Sequence, residues 1–194
     1  MTGTSIFAGI ETVKATRSSS FFTPGRYFTR INKVRVTKSR KKVDFCGIDQ
    51  IVLWTDPASI AAWKAEGQRV GLAPNAPGTE TIHLLTTTND FFLSDMKAFV
   101  VALTGYPESD VTEEVLVMLS SDQQPASGWL AEIECRHIIV KNSQKPFTVH
   151  KYVRMVPAAE VKAAMLSQEG GEGLVARLFP NGALDALIAA QAAA

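Results

Sequence analysis

The sequence predicts a mainly β chain of the α+β class, with five strands, peripheral helices and a helical C-terminal extension. Three observations lead there. Stretches rich in β-branched and aromatic residues, bounded by turn residues, recur five times between Arg26 and Val156. Phe92, Met96, Phe99, Val100 and Leu103 follow helical spacing between the third and fourth of these stretches. From Leu174 onward the chain is rich in alanine and weakly amphipathic. A length of 194 residues with 46% hydrophobic and 20% charged content suits one folded domain with an appendage and a sizeable core.

Residues 1–20 read as a leader with a serine run at Ser18–Ser20, in which Ile6, Phe7 and Ile10 are able to dock on the body. Pro24-Gly25 is a turn signal. Residues 26–37 form the first strand, and a β-bulge within it would bring Arg30, Lys33 and Arg35 onto one face. Lys38 to Lys42 make a basic loop, and residues 43–54 return as the second strand with Gly47 as a candidate kink. Residues 55–77 are an insertion holding one short helix that starts at Pro57. Residues 79–88 are the third strand. Asn89 or Asp90 caps a helix that runs to Leu103 and closes at Gly105. Thr112-Glu113-Glu114 opens a short helix. Residues 129–141 and 146–156 form a second hairpin. In its last strand Thr148, His150, Tyr152 and Arg154 share a polar face by alternation. Pro157 to Leu166 is a helix, Gly170–Gly173 a flexible joint, and the remainder helical, with a break at Pro180-Asn181-Gly182. The expected organisation is a leader at 1–20, a β domain at 21–157 containing the 55–77 insertion, and an Ala-rich helical extension at 158–194.

Enzyme signatures are missing. No phosphate-binding GK[ST] follows Gly67 or Gly71, no GxSxG elbow occurs, and no nucleophile–base pair has supporting spacing. Glu132 and Glu134, two apart on a strand, are expected to face solvent. Cys46 and Cys135 lack metal-ligand spacing and are expected to be reduced and buried. His83, His137 and His150 sit in no metal or catalytic motif. The chain is therefore expected to be no enzyme, with no metal and no cofactor. No apolar run approaches the roughly 20 residues of a membrane span, and the start does not read as a signal peptide. A cytoplasmic protein without membrane contact is expected.

Charge is unevenly placed. Ten of the twenty Lys and Arg residues lie between Thr12 and Val43, with no acid among them, while the rest of the chain carries all nineteen acids. A net charge of +1 therefore hides a basic ribbon on an acidic body, and such a ribbon attracts polyanions. Single-stranded nucleic acid needs cations for phosphates and exposed rings for bases, and each neutralised phosphate contributes about −0.7 to the log–log salt slope. The candidate phosphate contacts are Arg26, Arg30, Lys33, Arg35, Lys38, Arg40, Lys41, Lys42 and Arg154, joined by His150. Candidate stacking rings are Tyr27, Phe28, Phe45, Trp54 and Tyr152, of which alternation allows about two to face a ligand.

The strand and helix order matches a five-stranded OB-like barrel with a helix between strands 3 and 4. At this level the chain resembles the OB-fold single-stranded DNA-binding proteins of tailed phages. The likeness lies in Pro24-Gly25-Arg26-Tyr27 followed by INKVRVTKSRKKVDF, in FLSDMKAFVVALTGYPESDV, and in PASGWLAEIECRHI with KPFTVHKYV. It covers roughly residues 20–157. It implies sequence-tolerant binding of single-stranded DNA in phage replication or recombination, in the host cytoplasm, with Arg26 to Lys42 lining the groove. The family's usual acidic tail is not matched, because Asp185 is the sole charge after Arg177; the Ala-rich end would instead pack against a neighbouring subunit in a homo-oligomer. The alternative is a structural virion or assembly protein whose basic ribbon meets nucleic acid or an acidic neighbour. A nuclease or recombination accessory is a weaker third reading.

Overall fold

The computed structural model describes residues 20–38, 44–66, 73–86, 91–138 and 147–193. Its strands are β1 (Ser20–Phe21), β2 (Gly25–Lys38), β3 (Asp44–Thr55), β4 (Glu80–Thr86), β5 (Leu130–Ile138) and β6 (Phe147–Met155). They form one sheet in the order β1-β4-β3-β2-β5-β6. The five long strands pair antiparallel, and β1 adds a two-residue parallel rung to β4. The expected five strands and the α+β class are thus present, and β1 is an addition at the end of the stretch read as leader. Among the described residues no backbone ladder joins β6 to β1 or β4, so the sheet is open as a ladder.

The helices are α1 (Pro57–Ala65), α2 (Phe92–Thr104), α3 (Glu113–Leu119), α4 (Ala158–Leu166), α5 (Gly171–Leu178) and α6 (Ala183–Ala193). The stripe read from helical spacing is what α2 buries: Met96, Phe99, Val100 and Leu103, with Phe92 packed beside them. Gly105 ends α2 in the left-handed conformation at φ 71°, which only glycine adopts without strain. The residues proposed as its N-cap, Asn89 and Asp90, lie outside the described residues.

Each face of the sheet carries its own core. On one face Tyr27, Ile31, Val34, Cys46, Ile48, Val52, Ile133 and Tyr152 pack under α2 and α3. On the opposite face Phe28, Ile51, Leu53 and Leu130 pack against Val161 and Met165 of α4, Leu178 of α5, Phe179, and Leu184 of α6. Leu178, Phe179 and Leu184 of the C-terminal extension thus cover this chain's own sheet, while most alanines of α6 stay exposed. The break between α5 and α6 falls at Pro180–Gly182, as expected.

Three register shifts decide which side chains go where. Ile31 faces Gln50, but Lys33 faces Asp49, so Asn32 is an extra residue in β2. That bulge turns Val34 into the core and leaves Arg30, Lys33 and Arg35 on the opposite face, as the sequence suggested. A second shift, after Phe28, makes Leu53 the extra residue in β3. The third lies in β6, where Glu132 faces Arg154 and Ile133 faces Tyr152, making Val153 the extra residue. It corrects the clean alternation expected of this strand: Tyr152 points into the α2 core while Arg154 emerges on the other face.

Two expectations about glycines also change. Gly47 lies in unbroken register and makes no kink; a Cβ there would stand 3.2 Å from Ile82 Cδ1 and 3.6 Å from the Arg35 side chain. Gly171 and Gly173 are helical, in α5, rather than part of a flexible joint. A Cβ on Gly171 would collide with the Met165 carbonyl oxygen and lie 2.9 Å from Leu166 Cα. Glycine is what lets α5 start against the end of α4.

Candidate nucleic-acid interface

The bulge at Asn32 builds the basic surface. Beyond it the β2–β3 hairpin carries Lys33 and Arg35 on the face opposite α2 and runs out to Lys38, paired with Asp44. Lys33 is exposed and has no ion-pair partner among the described residues. Arg35 forms a fork on Asp49, with Nε 2.8 Å and Nη2 3.3 Å from its two oxygens. Lys38 lies 3.8 Å from Asp44 with both side chains largely in solvent. Such an exposed pair contributes only about 0–1 kcal/mol, so it holds Lys38 weakly. Arg40, Lys41 and Lys42 lie outside the described residues.

The other candidate cations are committed within the fold. Arg26 and Arg154 both clasp Glu132, whose side chain is 1% exposed. Arg26 donates to its Oε1. Arg154 Nε lies 2.8 Å from Oε2, but off hydrogen-bonding angles, so that oxygen has an ionic contact and no directed hydrogen bond. Arg154 also forks onto Glu160 of α4, and this hydrogen-bonded partner holds its guanidinium more firmly protonated than usual. Arg30 donates to the Leu178 carbonyl at 2.7 Å and lies 5.0 Å from the centre of the Phe179 ring. It pins the end of α5 and is withdrawn from solvent. Of the nine cations proposed for phosphate contact, these three serve packing first.

The candidate rings sort in the same way. Tyr27 is fully buried, its hydroxyl donating to the Thr23 carbonyl at 2.9 Å, and it cannot stack on a ligand. Tyr152 is also buried, with its hydroxyl accepting from Gln50 Nε2 at 2.7 Å, and Phe28 is buried on the opposite face. Trp54 keeps a partly exposed edge and lies against Phe28, ring centres 4.8 Å apart. It stands at the far end of β3 from the basic tip, ten residues or about 33 Å along the strand. Phe45 is half-buried and sits opposite Thr37, beside the basic tip. Two of the five rings thus keep exposed area, and Phe45 alone of the five adjoins the cations.

His150 faces inward rather than onto a solvent platform. Its ring stacks on His83 of β4 with centroids 4.0 Å apart. Burial pushes His150 down to about 4 and lowers His83 well below the usual histidine range, with the neighbouring His150 adding to the effect. Both imidazoles are neutral at pH 7. Cys46 and Cys135 are free and buried, as expected, and burial raises both thiols, Cys46 to about 11. No cluster of three or more metal-ligating side chains occurs among the described residues. No single described helix is long and apolar enough to cross a bilayer.

Two structural residues escaped the sequence reading. Glu132 looked like a solvent-facing strand acid; its burial follows from pairing with β2 and β6, which put Arg26 and Arg154 on either side. Asn75, in the 55–77 insertion, accepts from Thr23 N at 2.9 Å and donates to the Phe21 carbonyl and, through its own N–H, to Tyr27 Oη, each at 3.2 Å. It staples the insertion to the start of β2. Comparison with protein-family models and with curated proteins gives no match for this chain.

Proposed function

We propose that this chain binds single-stranded DNA without sequence preference, through phosphate contacts on the distal β2–β3 hairpin and stacking beside it, and that it acts in phage DNA replication or recombination. The observation that carries the reading is the bulge at Asn32, which sets Lys33 and Arg35 on one open face leading towards the acid-free sequence 39–43. The strand order β4-β3-β2-β5-β6 with α2 between β4 and β5 is that of a five-stranded OB barrel. In such a barrel β4 approaches β6, and the His83–His150 stack between these strands supports that reading. The likeness to phage OB-fold single-strand binders extends this fold reading to function.

Lys33, Arg35, Lys38, Arg40, Lys41 and Lys42 are the cations left for phosphates. If all six engage, the log–log salt slope is about −4. Fluorescence anisotropy with an unstructured oligonucleotide of about 30 nucleotides, which covers at least one OB site, tests this across several salt concentrations with duplex as competitor. Salt-sensitive binding that duplex does not compete away is expected. No binding at low salt overturns the reading.

A further inference from the structure

Between β4 and β6, where no ladder closes the sheet, lies a cavity of about 770 Å³. His83, Leu84, Val149 and His150 line it, and Phe21 and Phe91 contribute rings that are 63% and 67% exposed. Cavities of roughly 300–1,000 Å³ lined by aromatic and apolar groups with a few polar atoms are the usual form of small-ligand sites. The polar atoms here are specific. His83 is 6% exposed, and among the described residues neither its Nδ1 nor His150 Nε2 has a hydrogen-bond partner. A buried polar atom left unpaired costs about 1–3 kcal/mol, and folded proteins leave few of them. Both nitrogens are shielded while the rings stack, so a guest that pairs with them has to turn an imidazole of the stack towards the cavity.

The chemistry narrows that guest. Both imidazoles are neutral at pH 7, and among the described residues the one charged side chain lining the cavity is Asp95. Neither phosphate nor carboxylate is favoured inside. A pure hydrocarbon would leave both imidazole nitrogens unpaired. A neutral, planar heterocycle with donors and acceptors on its edge satisfies the nitrogens and uses the rings. Position adds to this. Arg35 pairs with Gly47, and Gly47 with Leu84, so the basic face and the cavity wall share one row across three strands. At 4.7–4.9 Å per strand that row is about 10 Å wide.

We infer that this cavity captures one unstacked nucleobase of a single strand whose phosphates run along Lys33 and Arg35. The inference rests on the single-strand reading for the strand, but the cavity can be tested without it. Pockets that receive an extruded base hold it by stacking and by bonds to its edge, and each stacked base contributes about 1–3 kcal/mol.

The first arm uses the full chain and free 2′-deoxyadenosine. The chain has three histidines, so imidazole carbon–proton NMR gives a small, assignable set of signals. Millimolar nucleoside is expected to shift those of His83 and His150 and leave His137 in place. Val149→Trp, at a partly exposed position on the wall, is expected to abolish the shifts by filling the cavity. His150→Leu is a second variant, with the fold of both checked by urea denaturation. The second arm titrates a single-stranded oligonucleotide. Val149→Trp is expected to weaken binding about tenfold, within the range for one lost stack, with an unchanged salt slope. Unmoved histidine signals, or shifts with dodecanoate and none with nucleoside, overturn base capture. Oligonucleotide binding equal in wild type and Val149→Trp overturns it while leaving the single-strand reading standing. Nucleoside shifts without oligonucleotide binding support the cavity and sink the strand reading.

Discussion

Glu132 is the place where stability and ligand binding can be separated by substitution. Its carboxylate is 1% exposed and contacts two guanidiniums, whereas the Arg26 and Arg154 side chains are 52% and 39% exposed. The partners are therefore unequal. An arginine that loses Glu132 turns into water at little cost, but a Glu132 that loses both arginines keeps a charge in the sheet with nothing to offset it. Removing one arginine leaves the other in place and should cost about 1 kcal/mol, in the range of a part-exposed ion pair. The double variant Arg26→Ala/Arg154→Ala should cost about 3–5 kcal/mol, the penalty of an uncompensated buried charge. Adding Glu132→Leu to the double variant removes that charge and should restore most of the loss, since buried ion pairs are often replaceable by apolar groups at no cost. Urea denaturation measures all three at constant m. If the double variant loses under about 1 kcal/mol, or Glu132→Leu does not rescue it, the clamp does not hold the sheet. The rescued triple variant then answers a second question. With Arg26 and Arg154 gone and the fold intact, the salt slope of oligonucleotide binding should stay within about 0.7 of wild type. A drop of about 1.4 would mean that both arginines contact phosphates.

Further expectations follow from the same geometry. Arg40→Ala/Lys41→Ala/Lys42→Ala should weaken binding to every sequence alike and flatten the salt slope by about 2, read by anisotropy; an unchanged slope removes the loop from the site. Acid should destabilise the fold through the imidazole pair. A histidine whose folded value is depressed binds its proton more readily when unfolded, so its stabilisation is complete above pH 6.5 and is lost as pH falls towards the folded value. For His150, lowered from 6.5 to about 4, that is at most about 3 kcal/mol, and His150→Leu should flatten the pH dependence of urea stability over this window. Gly171→Ala should cost about 1–3 kcal/mol by overpacking the α4–α5 junction; an unchanged urea midpoint would mean the junction yields freely.

Much of the fold was legible because its signals are local. The α2 stripe, the left-handed Gly105, the break at Pro180–Gly182 and the five long strands each follow from periodicity or turn chemistry within a few residues. Strand β1 was not legible: two residues carry no period, and their pairing with β4 joins Phe21 to Ile82, far apart along the chain. The clean alternation read into β6 failed for a related reason. Val153 is apolar and fits either face, so only the β5 register reveals that it is the extra residue.

The candidate site was legible in charge but not in commitment. Counting cations treats Arg26, Arg30, Arg154 and Lys33 as equals, yet the fold commits the first three to partners within the chain, and for Arg26 and Arg30 those partners are far away in sequence. Glu132 lies over a hundred residues from Arg26, and Leu178 nearly one hundred and fifty from Arg30. A basic ribbon on an acidic body is partly a means of neutralising that body, and this chain uses the proximal half of β2 in that way. What remains for a ligand is the distal half, where the bulge at Asn32 turns the cations away from the α2 core and their acidic partners, Asp49 and Asp44, are themselves partly in water. The same division holds for three of the rings: Tyr27 and Phe28, near the proximal cations, are buried in the two cores that flank the sheet, and Phe45, beside the distal ones, keeps an exposed edge; Trp54 keeps one at the proximal end. The distal cations and the Phe45 edge therefore fall at the same end of the hairpin, on the row that reaches the wall of the His83–His150 cavity, and on the single-strand reading substitutions there should change binding while those at the Glu132 end change stability.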